Sequence, residues 1–456
     1  MPGRPSQGLE KIAMKAKTVD IAALVDERGM TPYQWVIIAL SAAVVFLDGY
    51  DAQSIGFVAP SLIKAWGLAP PQLGPVFSAG LVGLMLGALF LAPLADKIGR
   101  RPLIIISTVI FGIFTLLTAA AHDLNQLLIL RFLTGVGLGG CMPNAIAITA
   151  EYAPRRSRSL LVMLMFSGFT LGSLVGGLVS AQLIPTMGWQ SVFVVGGLLP
   201  IALTPLMLWI LPESLRFMVI AKVAPKRIAR VVRNLDASIE TTDATEYLVA
   251  EVSKEKMSVR QLLTDGRARK TILLWVIFFM SLLDVYLLVN WLPTAMNAAG
   301  APVRTAILVG VVLQFGGLIG PAPLGYLLDR FGARSTMAPA YILASVAIAM
   351  IGVFASTSIP LTMLVVFMAG FGVIGGQTAA NAVAADSYPT EIRSTGVGWA
   401  LGIGRIGSIV GPALAGVLLS MQVSTRNIFF LSAIPALIAA AAAFGLGSKK
   451  EDARGA

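Results

Sequence analysis

Charged residues are scarce in this sequence. Asp, Glu, Lys and Arg make up only 12% of its 456 residues, whereas a soluble globular protein carries about 25%. Hydrophobic residues make up 56%, and there are 46 glycines and 25 prolines, two residue types that are more frequent in membrane helices than in soluble ones. The composition therefore excludes an ordinary soluble domain and predicts a polytopic membrane protein.

Cysteine and histidine are almost absent, with one of each, Cys141 and His122. A disulfide framework, a redox motif and a His/Cys metal site are therefore excluded. The glycine-rich stretch 135–140 lies in an apolar run and precedes no Lys-Ser/Thr, which argues against a phosphate-binding loop. We expect no metal, no cofactor and no enzymatic activity, because no nucleophile–base pair, cofactor motif or metal motif is evident.

Twelve apolar runs are each close to the ~20 residues that a helix needs to cross a bilayer. They lie at 33–57, 72–95, 102–121, 125–150, 158–183, 190–211, 270–296, 304–328, 335–356, 359–385, 394–420 and 426–447. The pattern predicts an all-α polytopic membrane protein with twelve transmembrane helices. Thr31 and Pro32 supply the N-cap and the first-turn proline expected where the first helix begins.

Basic residues are distributed unevenly among the loops. The connections 96–102, 154–158, 329–334 and 391–393 hold nine Lys and Arg residues, whereas the five loops on the other side hold three, Lys64, Arg304 and Arg426. The positive-inside rule places the basic loops and both termini in the cytoplasm. Because the basic residues form no single stripe, the net charge of +11 does not indicate a nucleic-acid partner.

One long polar segment, 212–269, divides the apolar runs six and six. Its mixed charges are typical of a solvated linker, and the alternative is a partly helical segment on the membrane surface. The predicted organisation is a cytoplasmic tail at 1–32, an N-terminal half at 33–211, a cytoplasmic inter-half loop at 212–269, a C-terminal half at 270–447 and a cytoplasmic tail at 448–456.

Landmarks of the first half recur in the second half at a nearly constant separation along the chain. The predicted pairs are Asp96 with Asp329, Asp48 with Asp284, and Asn144 with Asn381. Several landmarks at nearly one separation indicate an internal repeat. Two six-helix repeats with a site between them are the plan of many secondary transporters.

Two carboxylates, Asp48 and Asp51, interrupt the apolar run 36–58 and lie on one helical face. A charge in lipid costs about 2.5 kcal/mol or more, so both must face a protein interior or a water-filled cavity. Burial and a like-charged neighbour favour the protonated form of a carboxylate, and such a pair titrates as a unit. We interpret the pair as a proton-linked site, with a structural pair as the alternative. Asp284 is a second candidate that is equally compatible with a structural role.

In this arrangement the sequence resembles the major facilitator superfamily, from Thr31 to about Gly447. The loop 96–102 is similar to the signature between helices 2 and 3 of that superfamily, with a degenerate copy at Asp329. Residues 131–135 resemble its fourth-helix signature, whose arginine is often tied to proton coupling. The resemblance thus implies a coupling role for Arg131, although this side chain could instead extend to the membrane interface.

A narrower resemblance is to the aromatic acid:proton symporter family of benzoate- and hydroxybenzoate-type carriers. It is carried by the Asp-Gly-x-Asp of residues 48–51, by Gly56-Phe57-x-Ala59-Pro60, by the glycine-rich stretch 137–144, and by 393–396 running into 402–405. The resemblance implies uptake of a benzoate-like carboxylate with protons. Ser173 stands where the antiporter signature has proline, which disfavours antiport.

An anionic aromatic substrate needs a cation at depth, apolar walls and a few directed polar groups. Arg405 lies about ten residues, or roughly 15 Å, into helix 11, near the middle of a ~30 Å hydrocarbon core. Its guanidinium could hold a carboxylate bidentately, or it could pair with an aspartate of helix 1 or helix 7. The other predicted substrate contacts are Tyr50, Asn144, Gln314, Gln377, Asn381 and Trp399.

Charged residues of the basic loops are candidates for gating. Ion pairs between these residues would hold one conformation closed, although the arginines also determine topology. The expected pairs are Asp96 with Arg100, and Asp329 with Arg330 and Arg334. Glu151 and Asp386, at the inner ends of helices 4 and 10, are the expected partners of these arginines. The predicted gating residues are Asp96, Arg100, Glu151, Asp329, Arg334, Asp386 and Arg393.

The sequence therefore predicts a monomeric carrier that imports an aromatic carboxylate with protons by alternating access. Its expected partners are the substrate, protons and the lipid bilayer. A sugar or other organic-ion carrier is an alternative, because a fold does not determine a substrate. A membrane receptor without transport activity is disfavoured, because the sequence carries no appended signalling domain.

Overall fold

The computed structural model describes residues 18–26, 29–236, 245–248, 259–264, 266–389 and 392–446. Within them, twelve helices are long and apolar enough to cross a membrane. These are spans 1 to 12: Pro32–Trp66, Pro70–Ile98, Arg100–Thr118, Leu124–Tyr152, Arg158–Met187, Gln190–Ile210, Ala268–Ala298, Val303–Phe331, Ala333–Phe354, Ile359–Asp386, Thr395–Ser420 and Thr425–Phe444. The predicted fold class is confirmed, while the predicted tail 448–456 and residues 1–17 and 27–28 of the other tail lie outside the described part of the chain.

Two of the spans are interrupted, and short elements occupy the connections. Span 2 comprises a 3-10 turn (Pro70–Leu73), an α-helix (Gly74–Phe90), a second 3-10 turn (Ala92–Leu94) and a short helix (Ala95–Ile98). Span 8 divides into Val303–Ile319 and Pro321–Phe331, where Pro321 has no N–H to continue the helical hydrogen bonds. Span 11 belongs to the helix Arg393–Ser420. The remaining elements are helices Ile21–Asp26, Leu215–Ile220 and Pro225–Leu235, 3-10 turn Val259–Leu262, and strands β1 (Thr18–Asp20) and β2 (Glu246–Leu248).

Span 1 begins where the sequence predicts it. The Gln34 amide N–H donates to Thr31 Oγ1 at 3.3 Å, the Thr31 N–H donates to Gln34 Oε1 at 2.8 Å, and Pro32 is the first helical residue. Such a capping box satisfies two of the unpaired donors of a helix start. The span ends at Trp66, beyond the predicted residue 57, because the helix continues through Lys64 until Gly67 adopts a left-handed φ of 63°.

Part of the inter-half loop packs on the N-terminal half. The helix Pro225–Leu235 is amphipathic, and its apolar face, with Ile228 and Val232, joins the buried residues of that half. β1 pairs in parallel with β2, so the segment before span 1 contacts the loop. Part of the loop is therefore helical, and one face of 225–235 is buried on the N-terminal half and not solvated. Residues 237–244, 249–258 and 265 lie outside the described residues.

Glycines bring the spans together in equivalent pairs in the two halves. A methyl group at Gly172 of span 5 would overlap the Phe46 carbonyl of span 1, and one at Gly407 of span 11 would overlap the Phe279 carbonyl of span 7. Spans 2 and 4 and spans 8 and 10 pack in the same way. Small residues at such crossings let helix backbones approach closely, as is common in membrane bundles.

These equivalent crossings fix the register of the repeat. Because Gly172 meets Phe46 and Gly407 meets Phe279, the positions of Phe46 in span 1 and Phe279 in span 7 correspond. In the same way, Gly137 of span 4 meets Phe111 of span 3, and Gly372 of span 10 meets Ala344 of span 9. Gly137 therefore corresponds to Gly372, and Phe111 corresponds to Ala344.

This register corrects two of the predicted pairs. Counted equally far along spans 1 and 7 from the two phenylalanines, Asp284 corresponds to Asp51, and Asp48 corresponds to Ser281. Counted from the two glycines of spans 4 and 10, Asn144 corresponds to Ala379 and not to Asn381. Identical residues a few positions apart had suggested the wrong partners. The pair Asp96 and Asp329 stands, since both precede a glycine with positive φ, Gly99 and Gly332.

The two halves are joined at one end and separate at the other. At the end opposite the basic loops, one hydrophobic cluster includes Leu62 and Val76 of the first half and Leu292 and Ile307 of the second. Towards the basic-loop end, the N-terminal half has its own clusters, and the C-terminal half has a different one. The interface between the halves is therefore closed at the end opposite the basic loops.

Candidate functional site

Asp51 and Arg131 form the central charged pair of the N-terminal half. Arg131 Nη1 lies 3.3 Å from both carboxylate oxygens of Asp51, and the side chains are 4% and 2% exposed respectively. Three threonines complete the network: Thr115 donates to Asp51 at 2.6 Å, while Arg131 Nη2 donates to Thr118 at 2.8 Å and to Thr134 at 3.0 Å. A buried charge pair persists only with such additional hydrogen bonds.

Arg131 points into the half and not towards the membrane interface. Its guanidinium carbon lies 4.8 Å from the centre of the Phe193 ring, a geometry of cation–π attraction. Asp51 and Arg131 also line a narrow cleft between spans 1, 2 and 4. The alternative in which Arg131 extends to the interface is therefore not what the structure shows.

Asp48 lies in a different environment, buried between Arg405 of the second half and Cys141 of span 4. Its side chain is 1% exposed, and it lies within electrostatic range of Arg405 and of Asp51. Neither of its carboxylate oxygens has a hydrogen-bond partner among the described residues. The two aspartates of the Asp-Gly-x-Asp motif thus have different surroundings, since one is fully paired and the other is not.

Arg405 is partly exposed and keeps most of its hydrogen-bonding capacity. Its Nη1 donates to the Tyr286 hydroxyl at 3.3 Å, and within the described part of the chain it has no carboxylate in ion-pair contact. A planar guanidinium has five N–H donors in a fork that matches a carboxylate. Arg405 can therefore accept an anionic ligand without first breaking an ion pair.

The remaining predicted substrate contacts are placed unequally. The Gln377 side chain and Asn381 Oδ1 have no partner among the described residues. Asn144 Nδ2 donates to the Gly140 carbonyl of its own helix at 2.9 Å, and Gln314 is buried. Trp399 is 44% exposed and packs on the Trp275 ring with 6.2 Å between centroids.

Tyr50 lies inside the N-terminal half. It is 2% exposed, its hydroxyl donates to the Val192 carbonyl at 3.1 Å, and its ring packs against Gly176 and Gly196. These contacts occupy both its hydroxyl and its ring. The prediction of Tyr50 as a substrate contact is therefore replaced by a packing role, because the spacing of residues along a helix does not give the direction of this side chain.

Asp284 occupies the position in the second half that corresponds to Asp51, but apolar residues replace most of the polar neighbours of Asp51. It is 0% exposed and faces Tyr341 of span 9 and the backbone of span 12 at Ala436. In the register of the repeat, Arg131 is replaced by Val366. The three threonines of the network are replaced by the buried residues Ile348, Ile351 and Ala369. The second half thus retains the carboxyl group but not its cationic partner.

At the basic-loop end, Arg100 forms an ion pair at 2.6 Å with Glu151, which was expected to pair with one of the loop arginines. Glu213 was not predicted: it accepts the backbone N–H groups of Arg100 at 2.9 Å and Arg101 at 3.2 Å, at the start of span 3. A carboxylate at a helix N-terminus is stabilised by the helix dipole. The acidic residue of the Pro-Glu-Ser at 212–214 is visible in the sequence, but its contact with the start of span 3 is not.

Within the described residues, the second half has no equivalent of the Arg100–Glu151 pair. Ala333 occupies the position of Arg100, opposite Asp386. Arg334 lies over the Phe444 ring at 3.8 Å, and Arg393 donates to the Tyr388 carbonyl at 3.4 Å. At the basic-loop end, the charged residues of the two halves therefore make different contacts. Asp96 is exposed, without an ion pair to Arg100 in the part of the chain that the structure describes.

The Major Facilitator Superfamily profile matches residues 41–294 and 274–455. The chain is 40% identical over 430 residues to the gallate transporter of Pseudomonas putida, covering 94% of this chain and 95% of the relative. It is 39% identical over 450 residues to the 4-hydroxybenzoate transporter PcaK of Acinetobacter baylyi, covering 97% and 98%.

Among solved structures, the chain is similar in fold to a D-xylose–proton symporter, with a TM-score of 0.68 and 16% identity over 90% of this chain and 97% of that one. An inward-facing, occupied bacterial homologue of the human lysosomal transporter Spinster gives a TM-score of 0.69 with 18% identity, over 91% and 97% of the two chains. The architecture and the relatives are those of transporters and not of enzymes. The chain thus belongs to the major facilitator superfamily, and within it to the family of aromatic acid transporters.

Proposed function

We propose that this protein imports a benzoate- or hydroxybenzoate-type carboxylate together with protons. The observation that carries the proposal is the division of charge between the halves. Arg405 offers a cation that has no carboxylate partner among the described residues, and Asp51 with Arg131 forms a buried pair that a proton could open. The names of the relatives, gallate and 4-hydroxybenzoate transporters, favour an aromatic acid as the substrate.

In this account, the substrate carboxylate binds the guanidinium of Arg405 and its ring lies between the two halves. Gln377 and Asn381, which have unused hydrogen-bonding atoms among the described residues, would contact polar substituents of the ring. Buried polar groups that match a substrate reject analogues lacking the partner group. These two side chains are therefore the expected determinants of the accepted substituents.

Protons would be carried by Asp48 and Asp51. A protonated Asp51 is neutral and releases Arg131 from its partner, so protonation changes the contacts between spans 1 and 4. An intramembrane carboxylate of this kind typically marks a proton relay. Asp284 faces no arginine at the position that corresponds to Arg131, so we do not retain it as a coupling residue.

We place the protein in a bacterial inner membrane, as a monomer with both termini and the basic loops in the cytoplasm. With that orientation, the closed end of the interface faces outwards and the conformation is open to the inside. The halves 33–211 and 270–447 would rock against each other about the crossing of Gly56 and Val289, as alternating access requires.

The proposal is tested by uptake into proteoliposomes with an imposed pH gradient, acidic outside. Labelled 4-hydroxybenzoate should accumulate above equilibrium, and an uncoupler should abolish the accumulation. Labelled hexose is the parallel substrate. Accumulation of the hexose without that of the aromatic acid would instead favour the sugar-carrier alternative.

A further inference from the structure

Span 7 carries two side chains that lie between Arg405 and the Asp51–Arg131 pair. Tyr286 and Asn290 are one helical turn apart and are 7% and 3% exposed. The Tyr286 hydroxyl accepts from Arg405 Nη1 at 3.3 Å, and the Tyr286 carbonyl accepts from Asn290 Nδ2 at 2.7 Å. A change at Arg405 is therefore one hydrogen bond away from this turn of the helix.

Asn290 also reaches the proton site. The cleft beside Asp51 and Arg131 is lined by spans 1, 2 and 4, and Asn290 is the one lining residue contributed by the second half, among the residues that the structure describes. The amide donates to its own helix through Nδ2, which leaves its Oδ1 as the acceptor that Asn290 can offer to a neighbouring group. Asn290 thus places a polar group of the second half next to the ion pair of the first.

The backbone at this point leaves no room for independent movement. A methyl group at Gly56 would lie 2.7 Å from the Val289 carbonyl oxygen and 3.2 Å from the Asn290 Cα. Gly56 follows Asp51 by little more than one helical turn on span 1. A displacement of span 7 at Asn290 must therefore displace span 1 close to Asp51, since packed interiors transmit strain.

We propose that Tyr286 and Asn290 are positioning residues that couple occupancy of Arg405 to the proton affinity of the Asp51–Arg131 pair. A substrate carboxylate that binds both Nη groups of Arg405 displaces the Tyr286 hydroxyl from Nη1. When the hydroxyl is released, its turn of span 7 shifts and Asn290 moves relative to the cleft. The contacts of Asp51 then differ between the empty and the occupied carrier.

Coupling of this kind is reciprocal. If substrate binding changes the proton affinity of Asp51, protonation changes the substrate affinity by the same factor. Factors of about 5- to 150-fold are typical of coupled sites. The inference rests on the proposed function, because it presupposes an anionic substrate at Arg405 and a proton at Asp51.

The test is the dissociation constant of 4-hydroxybenzoate, measured on the purified full-length protein in acidic and in alkaline buffer. The ratio of the two constants reports the coupling. Asn290→Leu removes the amide at nearly constant volume. Asn297→Leu is the matched control, because its Nδ2 donates to the Ala301 carbonyl at 2.9 Å on the same span but does not line the cleft.

Wild type and Asn297→Leu should show a ratio of about 5-fold or more, whereas Asn290→Leu should bind with a ratio within about twofold of one. Tyr286→Phe, which keeps the ring and removes the hydroxyl, should flatten the ratio in the same way. If Asn290→Leu does not fold, the ratio measured on Tyr286→Phe tests the inference. Full pH dependence in a folded Asn290→Leu or in Tyr286→Phe overturns the inference. A wild type without pH-dependent binding refutes the proposed function itself.

Discussion

The guanidinium of Arg131 and the carboxylate of Asp51 pair at 3.3 Å inside the N-terminal half, where their side chains are 4% and 2% exposed. In the register of the repeat, the corresponding carboxyl group is that of Asp284, and Val366 stands at the position of the arginine. The two halves share one architecture but differ in the chemistry of this position. Within the described residues, a buried ion pair at this position is thus restricted to the N-terminal half.

Replacement of either aspartate of span 1 by asparagine should abolish pH-driven accumulation, because an amide cannot exchange a proton. Only Asp51→Asn should also lower thermal stability, since it leaves the charge of Arg131 buried and unpaired, at a cost of about 3–5 kcal/mol. Asp48, which has no hydrogen-bond partner among the described residues, should tolerate the change. Uptake and thermal unfolding of the purified variants check both statements.

The control for these variants is Asp123→Asn. Asp123 is exposed and caps span 4 by accepting the Gln126 N–H at 2.9 Å, a role that asparagine fills equally well. Uptake and stability should be unchanged. Concentrative uptake by Asp51→Asn at the wild-type level would remove that residue from the coupling role.

The sequence predicted the twelve spans because a helix that crosses a bilayer needs about 20 consecutive, mostly apolar residues. A run of that length is easily recognised in a sequence. It also predicted the start of span 1 from Thr31 and Pro32, and Glu151 as a partner of the loop arginines, whereas Arg100 had been expected to pair with Asp96. It did not predict side-chain directions such as the burial of Tyr50. Helical spacing shows which residues share a face, whereas the rotation of each helix is set by packing at glycines far apart in the chain.

The register of the repeat could not be predicted from the sequence either, because it also depends on which residues meet at the helix crossings. Two aspartates close together in span 1 gave two possible partners for Asp284, and only the equivalent helix crossings at Phe46 and Phe279 select Asp51. The role of Glu213 depends on a contact between the end of span 6 and the start of span 3. Contacts of that range carry no local signal in the sequence.

Asp284→Asn should retain pH-driven accumulation of the aromatic acid. Asparagine has nearly the same shape as a protonated aspartate, and no arginine among the described residues forms an ion pair with this carboxyl group. Uptake at the wild-type level in proteoliposomes is the expected result. Loss of proton dependence in a variant that still binds substrate would return Asp284 to the coupling site.

Arg405→Ala should lose the preference for an aromatic acid over its uncharged amide. Truncation of one partner of a hydrogen-bonded charge pair costs about 2–5 kcal/mol, which corresponds to roughly 30- to 5,000-fold in affinity. Arg405→Lys should be intermediate, because it keeps the charge and loses the fork. Equilibrium binding of benzoate beside benzamide measures the preference; an unchanged preference in Arg405→Ala would make Arg405 structural.

Asp96→Ala should slow transport more than it weakens substrate binding. Asp96 is exposed at the basic-loop end, far from Arg405, so its loss acts on the balance between conformations and not on substrate contacts. Lys97→Ala, at the neighbouring exposed position, is the control. Turnover and equilibrium binding are compared in the same preparations, and a collapse of binding at an unchanged conformational balance would contradict the gating role.

The most direct test of the account is the accumulation ratio of labelled 4-hydroxybenzoate in proteoliposomes as the imposed pH gradient is varied. If the substrate enters with protons through Asp51 and Arg131, the ratio should rise with the gradient in wild type and stay at equilibrium in Asp51→Asn. A wild-type ratio that does not depend on the gradient, or an equal rise in Asp51→Asn, would contradict the account.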